Sequence, residues 1–173
     1  TPIGVGAEAF LRAQHEAANG IGPITSFDPA DLTVKIAGEA DVDLSAYLDP
    51  KQAKRLDRFV HLALVGSDLA LADAGLQPDD VAGGRSGSSV GSGIGGLGTW
   101  ERESKVRFQR SPMRVSPFFI PMLISNMASG HVAMRYGLTG PSTSVVTACA
   151  TGSGAIGDAF RIIQRGEADV MLA

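Results

Sequence analysis

The sequence predicts an α/β fold in which helices pack on a parallel sheet, and three observations predict it. Near the end, STSVVTA is β-branched and apolar, TGSGAIGDAFRIIQRG carries apolar residues at helical spacing, and DVMLA is apolar again. Strand, helix and strand in that order require a parallel pairing with the helix laid on one face. Upstream, GSSVGSGIGGLG joins a strand-like start to a glycine-rich turn, and between them and the N-terminal region lies an amphipathic helix with signals at both ends.

Taken in order, residues 7 to 18 are helix formers that stop near Gly20, which predicts a first short helix. Asp28 to Leu48 mixes turn residues with short alternating runs such as TVKIAGEADV, the pattern of peripheral strands or loops. In the next helix Asp57 stands at the N-cap and Phe59, Val60, Ala63, Leu64, Ser67, Ala70 and Leu71 recur at three- and four-residue spacing. Gly75 closes it as the residue just past the cap. The run Lys51-Gln52-Ala53-Lys54-Arg55 before it is basic, and its plain reading is a solvated helix edge. In VSPFFIP two aromatics stand between prolines; Pro121 suits the first position of a helix that ends at Gly137. Either Phe118 and Phe119 both fill a core edge, or one of them reaches a neighbouring surface or partner chain. In the last helix Ala155, Ile156, Ala159, Phe160, Ile162 and Ile163 give the apolar face.

With 173 residues the chain holds one ordinary domain with a real core. Hydrophobic residues are 44% and charged residues 19%, the balance of a folded globule rather than a disordered chain. A net charge of -3 points to neither a nucleic acid nor an anionic membrane as partner. The longest apolar runs, such as FFIPMLI, fall short of the roughly 18 residues a membrane span needs, and the start lacks the pattern of a secretory signal. A soluble, cytoplasmic protein is the simplest expectation. The single cysteine excludes an internal disulfide, and no spacing of Cys and His suggests a metal site. Glycine is abundant, 22 residues against a usual share of ~7%, and it gathers between Gly83 and Gly98 and around Cys149. The chain starts at Thr1 and ends inside an apolar run, so it reads as a piece of a longer protein.

Cys149 falls where a strand ends and a helix begins. A lone cysteine is most often a small buried hydrophobe, but this position sets the sulfur near unsatisfied N–H groups and the positive end of a helix macrodipole, which favours the thiolate. Small neighbours, Ala148, Ala150, Thr151 and Gly152, leave room for a substrate carbon and a sharp turn, as in the nucleophile elbow of serine hydrolases. The backbone N–H of Cys149 is a candidate oxyanion donor. The competing reading is a dinucleotide loop, since G-x-G-x-x-G occurs twice, at Gly91, Gly93 and Gly96 and at Gly152, Gly154 and Gly157. That reading requires an acidic residue at the carboxyl end of the second strand, whereas Asp169 stands at its beginning. A thiolate needs a proton-handling partner, and neither His15, His61 nor His131 is a convincing one.

VTACATGSGAIGDAFRIIQRGEADVMLA, with GSGIGGLG, RVSPFFIP and GHVAMRYGLTGPS, resembles the N-terminal half of the β-ketoacyl-acyl carrier protein synthase II family, the elongating condensing enzymes of fatty-acid synthesis. The resemblance runs over essentially the whole chain, 1–173, and implies a thiolase-like fold: part of a layered αβαβα architecture with a mixed, mostly parallel sheet, lacking the first strand and the C-terminal half. It implies that Cys149 is the acyl-accepting nucleophile, that Gly93, Ile94 and Ala148 line the acyl pocket, and that Phe119 crosses a dimer interface to close the partner's pocket. Lys51, Lys54, Arg55 and Arg114 match positions that dock the acidic acyl carrier protein, which reverses the plain reading of the basic run. No bound cofactor is implied, because phosphopantetheine arrives on the carrier protein as substrate. The family's two histidines and lysine of the decarboxylative stage match nothing here, so the chain alone is not expected to complete a turnover. Within the same fold, a ketosynthase domain of a polyketide assembly line is the nearer alternative and a non-catalytic chain-length-controlling partner the farther one, since such partners lose the cysteine.

Overall fold

The computed structural model describes all residues, Thr1–Ala173. Its backbone divides into two compact units, residues 1–43 and 44–173.

The first unit opens with α1 (Ala7–His15). Its entry is Gly6 at φ 81, a left-handed conformation natural to glycine. Two-residue strands β1 (Gly22–Pro23) and β2 (Ile36–Ala37) pair antiparallel. The loop between them is fastened by Glu39, whose carboxylate accepts the Ser26 hydroxyl at 2.5 Å, the Thr25 hydroxyl at 2.7 Å and both backbone N–H groups. The peripheral strands and loops expected between Asp28 and Leu48 are what this segment forms.

The second unit carries the main core. Helix α2 (Pro50–Ala53) is capped by Asp49, which accepts from the N–H groups of Lys51 and Gln52. Helix α3 (Arg58–Asp73) buries Val60, Leu64, Val65, Ser67 and Leu71 along one stripe. It ends as its sequence predicts: Gly75 is left-handed at φ 68, its N–H reaches Ala72 O and the Leu76 N–H reaches Leu71 O, the paired bonds of a Schellman motif. After the short α4 (Pro78–Val81) comes β3 (Ser86–Ser89), buried throughout.

Three further helices lead to the second strand of the sheet. Helix α5 (Leu97–Gln109) has no counterpart among the sequence expectations. Next come α6 (Phe119–Leu123) and α7 (Met127–Tyr136). Here the expected single helix is two, because Ile124 is extended at ψ 136, and Pro121 lies inside α6 rather than at its first position. Gly137, left-handed at φ 63, ends α7 as predicted. Helices α3 and α7 pack together around Val60, Leu64, Leu71, Val132 and Tyr136. Each fully buried Leu or Val there contributes about 1.5–3 kcal/mol relative to exposure. The same pair is bridged by Arg135, which donates to Asp68 Oδ2 at 2.7 Å and to Tyr47 O at 3.0 Å, with the Tyr136 hydroxyl also donating to Asp68. Burial, then this carboxylate, pushes the Tyr136 phenol well above its ordinary range.

The sheet is completed by β4 (Ser142–Thr143) and β5 (Val170–Leu172), with α8 (Thr151–Gln164) between them. Its order is β4-β3-β5, and both pairings are parallel: Ser88 lies opposite Ser142 and Leu172. The predicted strand-helix-strand unit is therefore real, with β3 inserted between its two strands. STSVVTA differs from the expected buried strand. Only Ser142 and Thr143 pair, both exposed, and Val146 is 53% exposed. The segment leaves the sheet after Thr143, so residues 144–147 run unpaired toward the turn at Ala148. Helix α8 also turns differently from expectation. The small residues Thr151, Ala155 and Ala159, with Ile162, face the sheet, whereas Ile156, Phe160 and Ile163 are exposed on the other side. Two apolar faces, not one, explain why all six residues read as a single stripe.

Candidate active site

Cys149 sits at the joint between β4 and α8. A 3₁₀ turn, Ala148–Ala150, runs straight into the first residue of α8, and the cysteine is exposed. Ala148 has φ 50, a left-handed conformation that a residue with a Cβ adopts only at a cost of about 1–3 kcal/mol. The elbow expected from the small residues is thus present, and its strained member is the residue before the thiol. The turn is closed by the Ala150 N–H donating to Thr147 O at 3.0 Å. Thr151, first in α8, accepts the Thr147 N–H at 3.0 Å and donates to Ala148 O at 2.8 Å.

The loop 90–96 lies against this turn. A Cβ built on Gly93 would stand 3.6 Å from Ala148 Cα, ordinary contact, so Gly93 and Ala148 face each other across a narrow gap. A Cβ on Gly91 would collide with the Val145 carbonyl and the Thr151 methyl. Gly95, at φ 83, takes its N–H to Ser92 Oγ at 2.9 Å, and the Gly96 N–H donates to Leu123 O at 2.8 Å. Ile94, at the tip, is 71% exposed. The structure therefore brings Gly93, Ala148 and Cys149 together, with Ile94 on the same loop.

Neither glycine motif forms a dinucleotide loop. Gly152, Gly154 and Gly157 lie within α8. Behind Gly91, Gly93 and Gly96 the start of α5 is taken by Asp57, whose Oδ2 accepts the Thr99 N–H at 3.0 Å. A carboxylate already stands where a phosphate would have to bind. Asp169, at the head of β5, is held by Arg85 Nε at 2.9 Å and Nη2 at 2.5 Å.

Of the aromatic pair, Phe118 is the more open, 40% exposed, with the Arg55 guanidinium 5.0 Å from its ring centre. Phe119 is half-buried and lines a groove along α5 with Trp100, Phe108, Pro112 and Val115. Lys51, Lys54 and Arg55 are exposed on and just after α2, and Arg114 is exposed on the separate turn Pro112–Arg114. Lys51 and Arg55 rim a groove floored by Leu56, Phe118, Pro121 and Met127, with His131 in its wall. Burial pushes the His131 imidazole below its ordinary value. The other histidines lie elsewhere: His15 is exposed on α1, and His61 donates from Nε2 to Ala53 O at 2.9 Å. Sequence reasoning missed α5 with Trp100, the remote role of Asp57 and the clamp at Thr151. Only Thr151 left a signal, a hydroxyl residue two places after the cysteine.

An exposed cysteine on a strained elbow, on the connection from a parallel strand to a helix and against a glycine loop, defines an α/β protein built around a surface-presented thiol. The chain belongs to the beta-ketoacyl synthase family: the model of that family's N-terminal domain matches residues 1–173. It is 46% identical to 3-oxoacyl-(acyl-carrier-protein) synthase 2 of Synechocystis sp. and 43% identical to the protein of that name from Staphylococcus aureus, in each case over 99% of this chain and 42% of the relative. Among solved structures, a beta-ketoacyl synthase from Burkholderia phymatum superposes with a TM-score of 0.83 at 25% identity, over 97% of this chain and 42% of that one. The ishigamide ketosynthase/chain length factor shares the fold, with a TM-score of 0.89 at 23% identity and the same coverage. A type II polyketide acyl-carrier protein in complex with its ketosynthase, bound to the hexaketide, matches at 0.72 and 26% identity over 76% of this chain and 38% of that one. The fold is thiolase-like, and the chain spans about 42% of the curated relatives it matches.

Proposed function

We propose that the natural-length protein is a 3-oxoacyl-carrier protein synthase of fatty-acid elongation, with Cys149 as its acyl-accepting nucleophile. The observation that carries this reading is the exposed thiol on the left-handed elbow at Ala148, set beside the glycine loop at Gly93. In the first stage the Cys149 thiolate attacks the thioester carbonyl of an acyl carrier protein. The resulting oxyanion takes a hydrogen bond from the backbone N–H of Cys149, then collapses, and the phosphopantetheine sulfur leaves as a thiolate that takes a proton from water. In the second stage a malonyl-carrier protein loses carbon dioxide, and its carbanion attacks the acyl-cysteine. The new carbon–carbon bond forms as the Cys149–acyl bond breaks, giving 3-oxoacyl-carrier protein and the free thiolate.

Gly93, Ile94 and Ala148 line the acyl pocket in this reading. Lys51, Lys54, Arg55 and Arg114 receive the acidic carrier protein, and Phe119 reaches the pocket of a second copy in a homodimer. No cofactor takes part beyond the pantetheine arm that the carrier brings, and the reaction takes place in the cytoplasm; no helix of this chain is long and apolar enough to cross a membrane. The proton-handling histidines and lysine of the second stage belong to the part of the relatives that this chain does not span, so the 173-residue chain takes an acyl group but does not condense. The identity of 46% and 43% to relatives named 3-oxoacyl-(acyl-carrier-protein) synthase 2 supports fatty-acid elongation over polyketide assembly. Retention of Cys149 disfavours a non-catalytic chain-length partner.

The test is product formation. Natural-length protein mixed with acyl- and malonyl-carrier protein is expected to yield 3-oxoacyl-carrier protein by mass spectrometry, and the Cys149→Ala variant none. Unchanged product from the variant removes Cys149 from the reaction.

A further inference from the structure

Three residues bracket the thiol and are tied to one another. Ala148, before Cys149, is left-handed at φ 50. Thr147, before that, is extended no further into the sheet and has no strand partner for its N–H. Thr151, just after the turn, is 6% exposed, and its one hydroxyl serves both: it accepts the Thr147 N–H at 3.0 Å and donates to Ala148 O at 2.8 Å. A single side chain thus ties together backbone on both sides of Cys149. Its methyl is in turn seated where Gly91 leaves no room for a Cβ, so the hydroxyl cannot rotate away without lifting the methyl off the loop.

We propose that Thr151 is a positioning residue for Cys149: its buried hydroxyl holds Ala148 in the left-handed conformation and so fixes the direction in which the thiol is presented. An alanine at φ 50 relaxes toward ordinary backbone unless its surroundings over-determine it, and the Thr151 hydroxyl is the side chain that bonds both Thr147 and Ala148. A relaxed Ala148 swings the following Cα–Cβ bond and carries the sulfur away from its line of approach to a bound carbonyl. Small misplacements of a reacting group cost rate steeply. The methyl, packed on the Gly91 loop, links the direction of the thiol to the loop that also bears Gly93 and Ile94.

The inference rests on the reading of Cys149 as acyl acceptor, and its test separates the two. In natural-length protein, Thr151→Val keeps the shape and removes the hydroxyl, whereas Thr151→Ser keeps the hydroxyl and removes the methyl. Acylation of Cys149 by a medium-chain acyl carrier protein is expected to slow about tenfold in Thr151→Val and to stay within about twofold of the parent in Thr151→Ser. In parallel, the carbon-13 shifts of Ala148 report its backbone conformation: they are expected to leave the left-handed range in Thr151→Val and to remain there in Thr151→Ser, with far-ultraviolet circular dichroism confirming that both variants are folded. If the parent protein takes no acyl group, the functional reading fails and the Ala148 shifts alone decide the clamp. Left-handed shifts retained in folded Thr151→Val, or equal losses of rate in both variants, overturn the proposal. A Thr151→Val that does not fold passes the decision to Thr151→Ser, whose Ala148 must then remain left-handed.

Discussion

Asp57 Oδ2 accepts both the backbone N–H of Thr99, at 3.0 Å, and its hydroxyl, at 2.6 Å. The residue that stands at the N-cap of α3 makes no side-chain cap there. Its carboxylate instead caps α5, whose own N-cap, Gly96, has no side chain to offer. The glycine loop is thereby anchored at its far end to the helix that carries the core.

Removing that carboxylate therefore loosens α5 rather than α3. Asp57→Ala is expected to destabilise the protein by about 1–2 kcal/mol, read as a lower urea midpoint at unchanged slope. Thr99→Val, which keeps the backbone bond, is expected to cost about 0.5–1.5 kcal/mol. A smaller loss in Asp57→Ala than in Thr99→Val contradicts the remote cap.

Gly91 is set by space, not by dihedral angle. A Cβ there meets the Val145 carbonyl, which is backbone and cannot step aside, and the Thr151 methyl. Gly91→Ala is expected to destabilise by about 1–3 kcal/mol, whereas Gly152→Ala, facing open space on α8, is expected to be neutral or stabilising in thermal melts of the 173-residue chain. Equal melting temperatures for the two variants contradict this account of the loop.

The basic edge carries a prediction about rate of encounter. Reversing Lys51, Lys54 and Arg55 to Glu is expected to weaken association with an acidic acyl carrier protein by about tenfold or more, chiefly through the on-rate, and to flatten its dependence on salt. Stopped-flow association at two ionic strengths reads both effects. An on-rate unchanged by the triple reversal removes these residues from the docking surface.

In the first unit, Glu39 titrates far from the ordinary carboxylate range. The Ser26 hydroxyl, then the Thr25 hydroxyl and N–H, lower it from 4.5 to about 2. A depressed folded value means that its contribution to stability is complete above pH 4.5 and is lost as the pH falls through about 2. A carboxyl carbon-13 titration is expected to place the Glu39 midpoint near that value, and Ser26→Ala to raise it. A midpoint at the ordinary value shows that the loop is not held by this carboxylate.

Much of this architecture was legible because its determinants are local. Gly75 and Gly137 end helices where left-handed backbone is needed, and the small residues around Cys149 announce an elbow. The rest depends on contacts between distant segments. Asp57 reads as an ordinary N-cap until Thr99 is brought beside it. The six apolar residues of α8 read as one stripe because a pattern shows which positions are apolar, not which of two faces meets the sheet. STSVVTA reads as a buried strand because its β-branched composition does not show that the chain leaves the sheet after Thr143. Helix α5 left no pattern because it is largely polar and buries only Thr99 and Glu103, too little for a period to emerge. The groove between Arg55, Phe118 and His131 joins α2, α6 and α7, and no spacing within one segment foretells it.

The role of Cys149 as acyl acceptor is tested most directly by the intact mass of the protein after mixing with a medium-chain acyl carrier protein. A single acyl adduct is expected, mapped to Cys149 by peptide fragmentation and absent in Cys149→Ala. A folded parent protein that takes no acyl group, or an adduct that survives in Cys149→Ala, contradicts it.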